Sequence, residues 1–176
     1  MIARETRAIV RLLQRQAFRD GERFAVRFAE TLQLFAPSSA LQPVDLDRVL
    51  DEVRQWVLPM AEECGVSLRA ADGDARVLAD ERRLRQVLAN LLTNAIKYNR
   101  RGGRVTTASR RLLLDGVPGW ELSVRDTGRG LSAEQQAHLY EPFNRLGAER
   151  EGIEGRGIGL MTVHHLVRLM GGRLQV

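Results

Sequence analysis

The stretch NLLTNAIKYN, residues Asn90 to Asn99, sets amide side chains four residues apart in an otherwise apolar run and closes on a lysine and a tyrosine. On a helix, Asn90, Asn94 and Lys97 fall near one line while Leu91, Leu92, Ala95 and Ile96 fill the other side. The segment therefore reads as a helix with a core face and a partly buried polar seam. Asparagine is a poor helix former, and a buried polar group left unpaired costs about 1–3 kcal/mol. Either these amides bond to neighbouring backbone or they face a ligand. Two amides and a lysine in register favour the ligand, because amide oxygens suit a hard cation and an ammonium suits phosphate.

Outward from that seam, the helix reads from about Glu81 to Tyr98 and is stopped by Gly102-Gly103. Upstream, Asp45 is a plausible N-cap for a helix reaching Gly65, with Leu46, Val49, Leu50, Val53, Val57 and Met60 at helical spacing and Pro59 as a kink. Val66 to Leu68 and Arg76 to Leu78 are strand candidates around the turn Asp72-Gly73-Asp74. Downstream, Arg104 to Leu114 and Trp120 to Arg125 read as a hairpin joined through Asp115 to Gly119. Ser132 and Gln135 form a capping box for a helix toward Tyr140. Residues 144 to 157 are polar, contain Gly147, Gly152 and Gly155, and are expected to be a mobile loop. A last helix reads from about Ile158 to Met170, and Gly171-Gly172 leads into a strand. Helices mixed with antiparallel hairpins favour an α+β fold with helices on one face of a sheet over a doubly wound one.

Residues 1 to 36 read as helical, with Ile9, Val10, Leu13 and Ala17 in one stripe and Phe24, Phe28, Leu32 and Phe35 in another, lapsing at Asp20-Gly21. One interrupted helix or two short ones would fit. Pro37, Ser38 and Ser39 begin a linker to residue 43. Arg4, Arg7, Arg11, Arg15, Arg19, Arg23 and Arg27 form a drifting stripe along that helix. With Glu5, Asp20, Glu22 and Glu30 interspersed and no aromatic platform, a solvated face is favoured over a surface for an acidic partner. The net charge of +5 thus does not point to nucleic acid.

With 44% apolar and 28% charged residues in 176, the composition fits one globular domain with a small appendage and excludes dominant disorder. The apolar runs fall short of a membrane span, and Met1 is followed by Arg4, Glu5 and Arg7 rather than by a signal-peptide core. A soluble, cytoplasmic segment without membrane contact is expected. Cys64, the one cysteine, can form neither an internal disulfide nor a cysteine-based metal site.

Two further motifs carry chemistry. Asp126-Thr127-Gly128-Arg129-Gly130 puts a carboxylate at a strand end beside glycines that let a flat ligand approach the backbone, although Asp-Thr-Gly alone also serves as a plain turn. Gly155-Arg156-Gly157-Ile158-Gly159-Leu160 opens the last helix, where free N–H groups and the helix dipole favour phosphate, although alone it also suits a flexible helix start. The second follows no strand and lacks Gly-Lys-Ser/Thr, so it is neither a dinucleotide-binding turn nor a P-loop.

In this order the motifs resemble the ATP-binding catalytic domain of sensor histidine kinases, of the superfamily that includes DNA gyrase, mismatch-repair ATPases and heat-shock chaperones. Asn90 to Tyr98 looks like the N box, Asp126 to Gly130 the G1 box, Glu141-Pro142-Phe143-Asn144-Arg145 the F box, and Gly155 to Leu160 the G2 box. The resemblance spans roughly Val44 to Val176. It implies a two-layer α/β sandwich with a mixed, mostly antiparallel sheet, preceded over residues 1–36 by a remnant of the dimerisation hairpin and truncated at its C-terminal strands.

The resemblance also implies roles. Asn94 would coordinate Mg²⁺ on the phosphates of ATP, Asn90 would help shape the site, Lys97 would contact a phosphate, and Tyr98 would line the nucleotide pocket. Asp126 would accept the adenine amino proton, with Gly128 and Gly130 allowing close approach. Phe143 would anchor a lid between Asn144 and Arg156, and Arg145 would stabilise charge on the transferring phosphoryl group. Gly155, Arg156, Gly157, Ile158, Gly159 and Leu160 would surround the phosphates. Positioning and charge neutralisation are what phosphoryl transfer chiefly needs. Position 90 carries an amide where the gyrase and chaperone branches resemble one another in a glutamate that activates water, so hydrolysis should be slow.

None of His138, His164 and His165 resembles the family's acceptor histidine. Transfer is therefore expected to a histidine on another polypeptide or on a missing part of the chain, with a response regulator receiver domain downstream and a homodimer in the intact parent. A degenerate nucleotide-binding scaffold that regulates another kinase is the alternative. A serine-kinase or anti-sigma regulator fits less well, because that branch lacks a helical leader.

Overall fold

The computed structural model describes residues 6–13, 41–71, 73–114, 117–139, 141 and 158–176. Strand β1 is Thr6–Leu13, β2 Gln42–Asp45, β3 Ser67–Ala70, β4 Arg76–Ala79, β5 Arg104–Leu114, β6 Val117–Asp126 and β7 Arg173–Gln175. Helix α1 is Leu46–Cys64, α2 Glu81–Lys97, α3 Ala133–Ala137 and α4 Gly159–Leu169.

Alternation fixes which way the large sheet faces. Val105 and Thr107 of β5 and Trp120, Leu122 and Val124 of β6 are buried, while Arg104, Arg110 and Arg125 are exposed, the period-two pattern of a sheet covered on one side. Glu121 is a buried exception on the open side, and its carboxylate accepts the Arg110 Nε–H at 2.8 Å. The strand order is β3-β5-β6-β1-β7. β3 runs parallel to β5, and the other pairs are antiparallel. β2 and β4 form a separate antiparallel ribbon.

Helices α1 and α2 exist because their N-termini are capped and one stripe of each is apolar. Asp45 accepts the Arg48 N–H at 3.0 Å to open α1, and Gly65, at φ 66°, closes it in the left-handed conformation that glycine adopts without penalty. Asp80 opens α2 by accepting the Arg83 N–H at 3.2 Å. Leu46, Val49, Leu50, Val53 and Val57 of α1, Leu84, Val87, Leu88, Leu91 and Leu92 of α2, and Val163, Leu166 and Val167 of α4 join the inward sheet residues in one core. Arg48 pairs with Glu52 at 2.5 Å and with Glu81 at 2.9 Å, and Arg85 pairs with the same two glutamates, lacing α1 to α2 at the surface. Exposed pairs of this kind contribute little each. The ordering comes from the apolar stripes beneath.

The expected two-layer α+β architecture is present, and three local readings are corrected. Thr6–Leu13, read as helix, is a strand lying between β6 and β7, with Val10 opposite Leu122 and Leu12 opposite Trp120. Its apolar residues satisfy both periods, and tertiary pairing overrides local propensity. Residues 14–40, which hold the rest of the helical reading and most of the arginine stripe, lie outside the described residues. Gln42 and Pro43, read as linker, belong to β2. The two strand candidates flanking the turn Asp72 to Asp74 are present as β3 and β4, each paired elsewhere, β3 with β5 and β4 with β2. Val117 to Gly119, read as turn, extend β6. The Ser132 and Gln135 capping box is present in both directions, at 3.1 and 2.9 Å, although α3 ends at Ala137 rather than toward Tyr140.

Candidate functional site

The polar seam of α2 is where the quoted stretch places it. Asn90 and Asn94 are half-buried and Lys97 is exposed, while Leu91, Leu92, Ala95 and Ile96 on the other side are buried. Among the described residues the side-chain amides of Asn90 and Asn94 make no hydrogen bond, so their placement is not explained by pairing with neighbouring backbone. What they meet is the start of α4. A methyl group built on Gly159 would lie 3.6 Å from Asn90 Oδ1 and 3.8 Å from Asn94 Nδ2. Among the described residues no side chain caps that helix at Ile158, so its first N–H groups and the positive end of its dipole sit beside two open amides. That combination suits a polyphosphate.

The second half of the site is built at the end of β6. Asp126 is 8% exposed, and its Oδ1 accepts the Gly128 N–H at 2.8 Å. Gly128 is itself buried beneath the end of α2: a Cβ there would overlap the Tyr98 carbonyl oxygen and lie 2.7 Å from Asp126 Oδ1. Gly130 has φ 70°, in the region that favours glycine. The Tyr98 ring carries the Arg129 guanidinium at 5.3 Å from its centroid, a cation–π distance. A buried carboxylate at a strand end with backbone closing over it is suited to accept a hydrogen bond from a flat, N–H-bearing ligand.

The sequence-predicted residues thus fall into two groups around the same end of α2. Asn90, Asn94, Gly159 and the flanking Ile158 and Leu160 gather at the α4 side, and Tyr98, Asp126, Gly128 and Gly130 at the β6 side. Phe143, Arg145, Gly155, Arg156 and Gly157 lie outside the described residues. Sequence reasoning gave no role to Asn99 or Thr127, which are hydrogen-bonded to each other at 3.2 Å. Nothing in their spacing pairs them.

Among the described residues no cluster of His, Cys, Asp or Glu could hold a bare metal ion. The donor set fits Mg²⁺ of a different kind: one or two neutral amide oxygens suffice when the ion arrives with a triphosphate that supplies the charge. Asn94 and Asn90 would be its protein neighbours.

The histidines are placed by their surroundings. His138 shares Nδ1 with Glu141 Oε1 at 2.7 Å, and that partner raises its pKa. His164 and His165 on α4 are held below the ordinary 6.5, first by burial, then by Arg168 for His164 and by Arg83 and His164 for His165. Unfolded imidazoles take up protons near pH 6.5 while these two do not until lower pH, so below that point the unfolded state binds more protons. Their contribution to stability is complete above pH 6.5 and falls as pH is lowered through it. Thermal melts should show Tm dropping as pH is lowered through about 6.5, and the His164→Gln/His165→Gln variant should flatten that slope. An unchanged slope in the double variant would refute the assignment.

Residues 79–176 match the family model described as histidine kinase-, DNA gyrase B- and HSP90-like ATPase. The chain belongs to this ATPase family. It is 36% identical over 118 residues to the histidine protein kinase DivJ of Caulobacter vibrioides, an alignment covering 66% of this chain and 19% of DivJ. It therefore spans about a fifth of that relative. Among solved structures it is similar to the mycobacterial sensor histidine kinase MprB, at TM-score 0.63 and 26% identity over 74% of this chain and 80% of that one. It is also similar to full-length ShkA in complex with AMPPNP, at TM-score 0.63 and 31% identity over 83% of this chain and 30% of ShkA. This ATPase-family chain accordingly carries an ATP-binding domain of the kind found in sensor histidine kinases. No described helix is long and apolar enough to cross a membrane.

Proposed function

We propose that this chain is the catalytic domain of a two-component sensor histidine kinase, holding Mg-ATP and passing the γ-phosphoryl group to a histidine on a dimerisation hairpin supplied by another polypeptide or another part of its parent. The observation that carries the reading is the meeting of Asn90 and Asn94 on α2 with the start of α4, where no described side chain forms a cap, with the buried Asp126 beside the C-terminal end of the same α2. In this reading Asn94, with Asn90 beside it, holds Mg²⁺ on the phosphates, which the ion partly neutralises. Lys97 and the N–H groups at Gly159 and Leu160 bind phosphate oxygens, while Asp126 accepts from the adenine amino group and Tyr98 lines the base pocket. Arg145 contributes positive charge at the transferring group and Phe143 anchors the segment around it. Gly155, Arg156 and Gly157 complete the phosphate cradle.

Asn90 cannot take a proton from water, which favours holding ATP over hydrolysing it. The same reading puts the domain in the cytoplasm, in a homodimeric parent, upstream of a response regulator receiver domain.

Titration calorimetry with a non-hydrolysable ATP analogue tests the binding half. Heat is expected with Mg²⁺ and a weaker signal with EDTA, whereas no heat with Mg²⁺ at high micromolar protein would remove the proposal. Radiolabelled ATP and a separate helical-hairpin acceptor test transfer. An unlabelled acceptor would instead leave a nucleotide-binding regulator of another kinase. Asp126→Asn should weaken analogue binding by about 1–3 kcal/mol. The amide replaces one carboxylate oxygen with an NH2 donor, which would then face either the Gly128 N–H or the adenine amino group, a donor against a donor. Equal affinity in that variant would show that Asp126 does not read the base.

A further inference from the structure

Asn99 is the last residue of the stretch that opens the sequence analysis, and it makes more bonds than a helix end requires. Its Nδ2 donates to the Ala95 carbonyl, closing α2, and to the Arg104 carbonyl at the start of β5, both at 3.1 Å. Its Oδ1 accepts the Arg100 N–H at 2.9 Å and the Thr127 hydroxyl at 3.2 Å. Two donated and two accepted bonds use the full capacity of one amide. The Thr127 hydroxyl in turn accepts the Arg104 N–H at 2.9 Å, and its backbone N–H reaches the Arg104 carbonyl at 3.1 Å. Gly103 is needed beside this cluster, because a Cβ there would overlap Asn99 Oδ1. The bond to Thr127 does nothing for the end of α2. It crosses 28 positions of sequence to the residue after Asp126.

We propose that Asn99 and Thr127 form a clasp that positions the base-reading turn Asp126 to Gly130 against the phosphate-binding helix, and so sets the preference for adenine. Asn99 follows Tyr98 in the chain and Thr127 follows Asp126, so one side-chain bond fixes the separation of the two groups that would meet the base. The tight passage of Gly128 beneath the Tyr98 carbonyl leaves this turn little room to slide in one direction, and the clasp restrains it from swinging out in the other. Both are positioning residues: they act through Asp126 and Tyr98 rather than on the nucleotide. The inference rests on the reading of Asp126 as the adenine acceptor.

Thr127→Val keeps the shape of the side chain and removes the hydroxyl, Thr127→Ser restores the hydroxyl, and Asn99→Ala removes the other partner. Binding of AMP-PNP and of GMP-PNP with Mg²⁺ is measured for each, with circular dichroism melts to report folding. Thr127→Val and Asn99→Ala should each weaken AMP-PNP binding roughly tenfold while GMP-PNP binding changes far less, so that adenine preference falls. Thr127→Ser should lie near wild type. Because one bond is shared, the double variant should be no weaker than the weaker single one. A destabilised Thr127→Val that keeps wild-type affinity and preference would overturn the proposal, as would losses that simply multiply in the double variant. Should either single variant fail to fold, the other with its melt still decides. If Asp126→Asn weakens AMP-PNP and the clasp variants do not, the clasp alone is refuted. If wild type binds but Asp126→Asn has no effect, the reading of Asp126 falls and the clasp with it.

Discussion

Gly128→Ala is expected to weaken binding of a non-hydrolysable ATP analogue by about 1–3 kcal/mol, roughly 5- to 150-fold, the range for forcing extra volume into a packed position. The added methyl group would press on the Tyr98 carbonyl oxygen and sit 2.7 Å from Asp126 Oδ1. One neighbour is backbone and the other is a carboxylate already bonded to the Gly128 N–H, so neither can yield as the end of a long side chain would. The turn must move, and Asp126 moves with it. Gly102→Ala is the control. Gly102 also has a positive φ, 76°, but nothing lies within 4 Å of a Cβ there, so that variant should lose stability modestly and bind normally. If Gly128→Ala bound the analogue as wild type does, the close approach of α2 to this turn would have no functional meaning.

Leu92→Ala should destabilise the domain by about 2–5 kcal/mol, the range for deleting a buried leucine from a core. Leu92 has no solvent exposure and lies on the apolar side of α2, within the cluster shared by α1, α4 and the sheet. Total stabilities of domains are about 5–15 kcal/mol, so the variant would stand near its unfolding threshold. Urea melts should show a lower midpoint with an unchanged slope. A loss under about 1 kcal/mol would mean that the core relaxes into the space and that α2 is not its organising element.

How much of this was legible in the sequence follows from the range of the interactions involved. Helix α2 could be read to within a residue because its cap, apolar stripe and terminator are all local, and the hairpin of β5 and β6 because its partners are adjacent in the chain. The seam of Asn90 and Asn94 was legible because two amides in register on one helix are costly to leave without a purpose. β1 was not legible, since Ile9, Val10 and Leu13 fit either period and its partners Asp126 to Gly119 and Gln175 to Arg173 come more than a hundred residues later. The separate destinations of β3 and β4 were hidden because each pairs outside the local turn, Ser67 with Arg104 and Arg76 with Asp45. Asn99 and Thr127 look like ordinary loop residues until the fold brings them within 3.2 Å. Motif order pointed to a common site for Gly159 and the amides, but only three-dimensional packing shows that they lie side by side.

The place of β1 in the large sheet bears on how the chain is made. Ile9 pairs with Ser123 on one side and with Gln175 on the other, so the earliest described strand waits more than a hundred residues for its first partner and about fifty more for its second. At ribosomal rates of about 5–20 residues per second the first wait lasts roughly 6–23 s. Throughout it β1 carries unpaired backbone N–H and C=O groups, which invite aggregation or capture by a chaperone. Helices α1 and α2 can pack on each other early, yet the described sheet is complete only once β7 has been made.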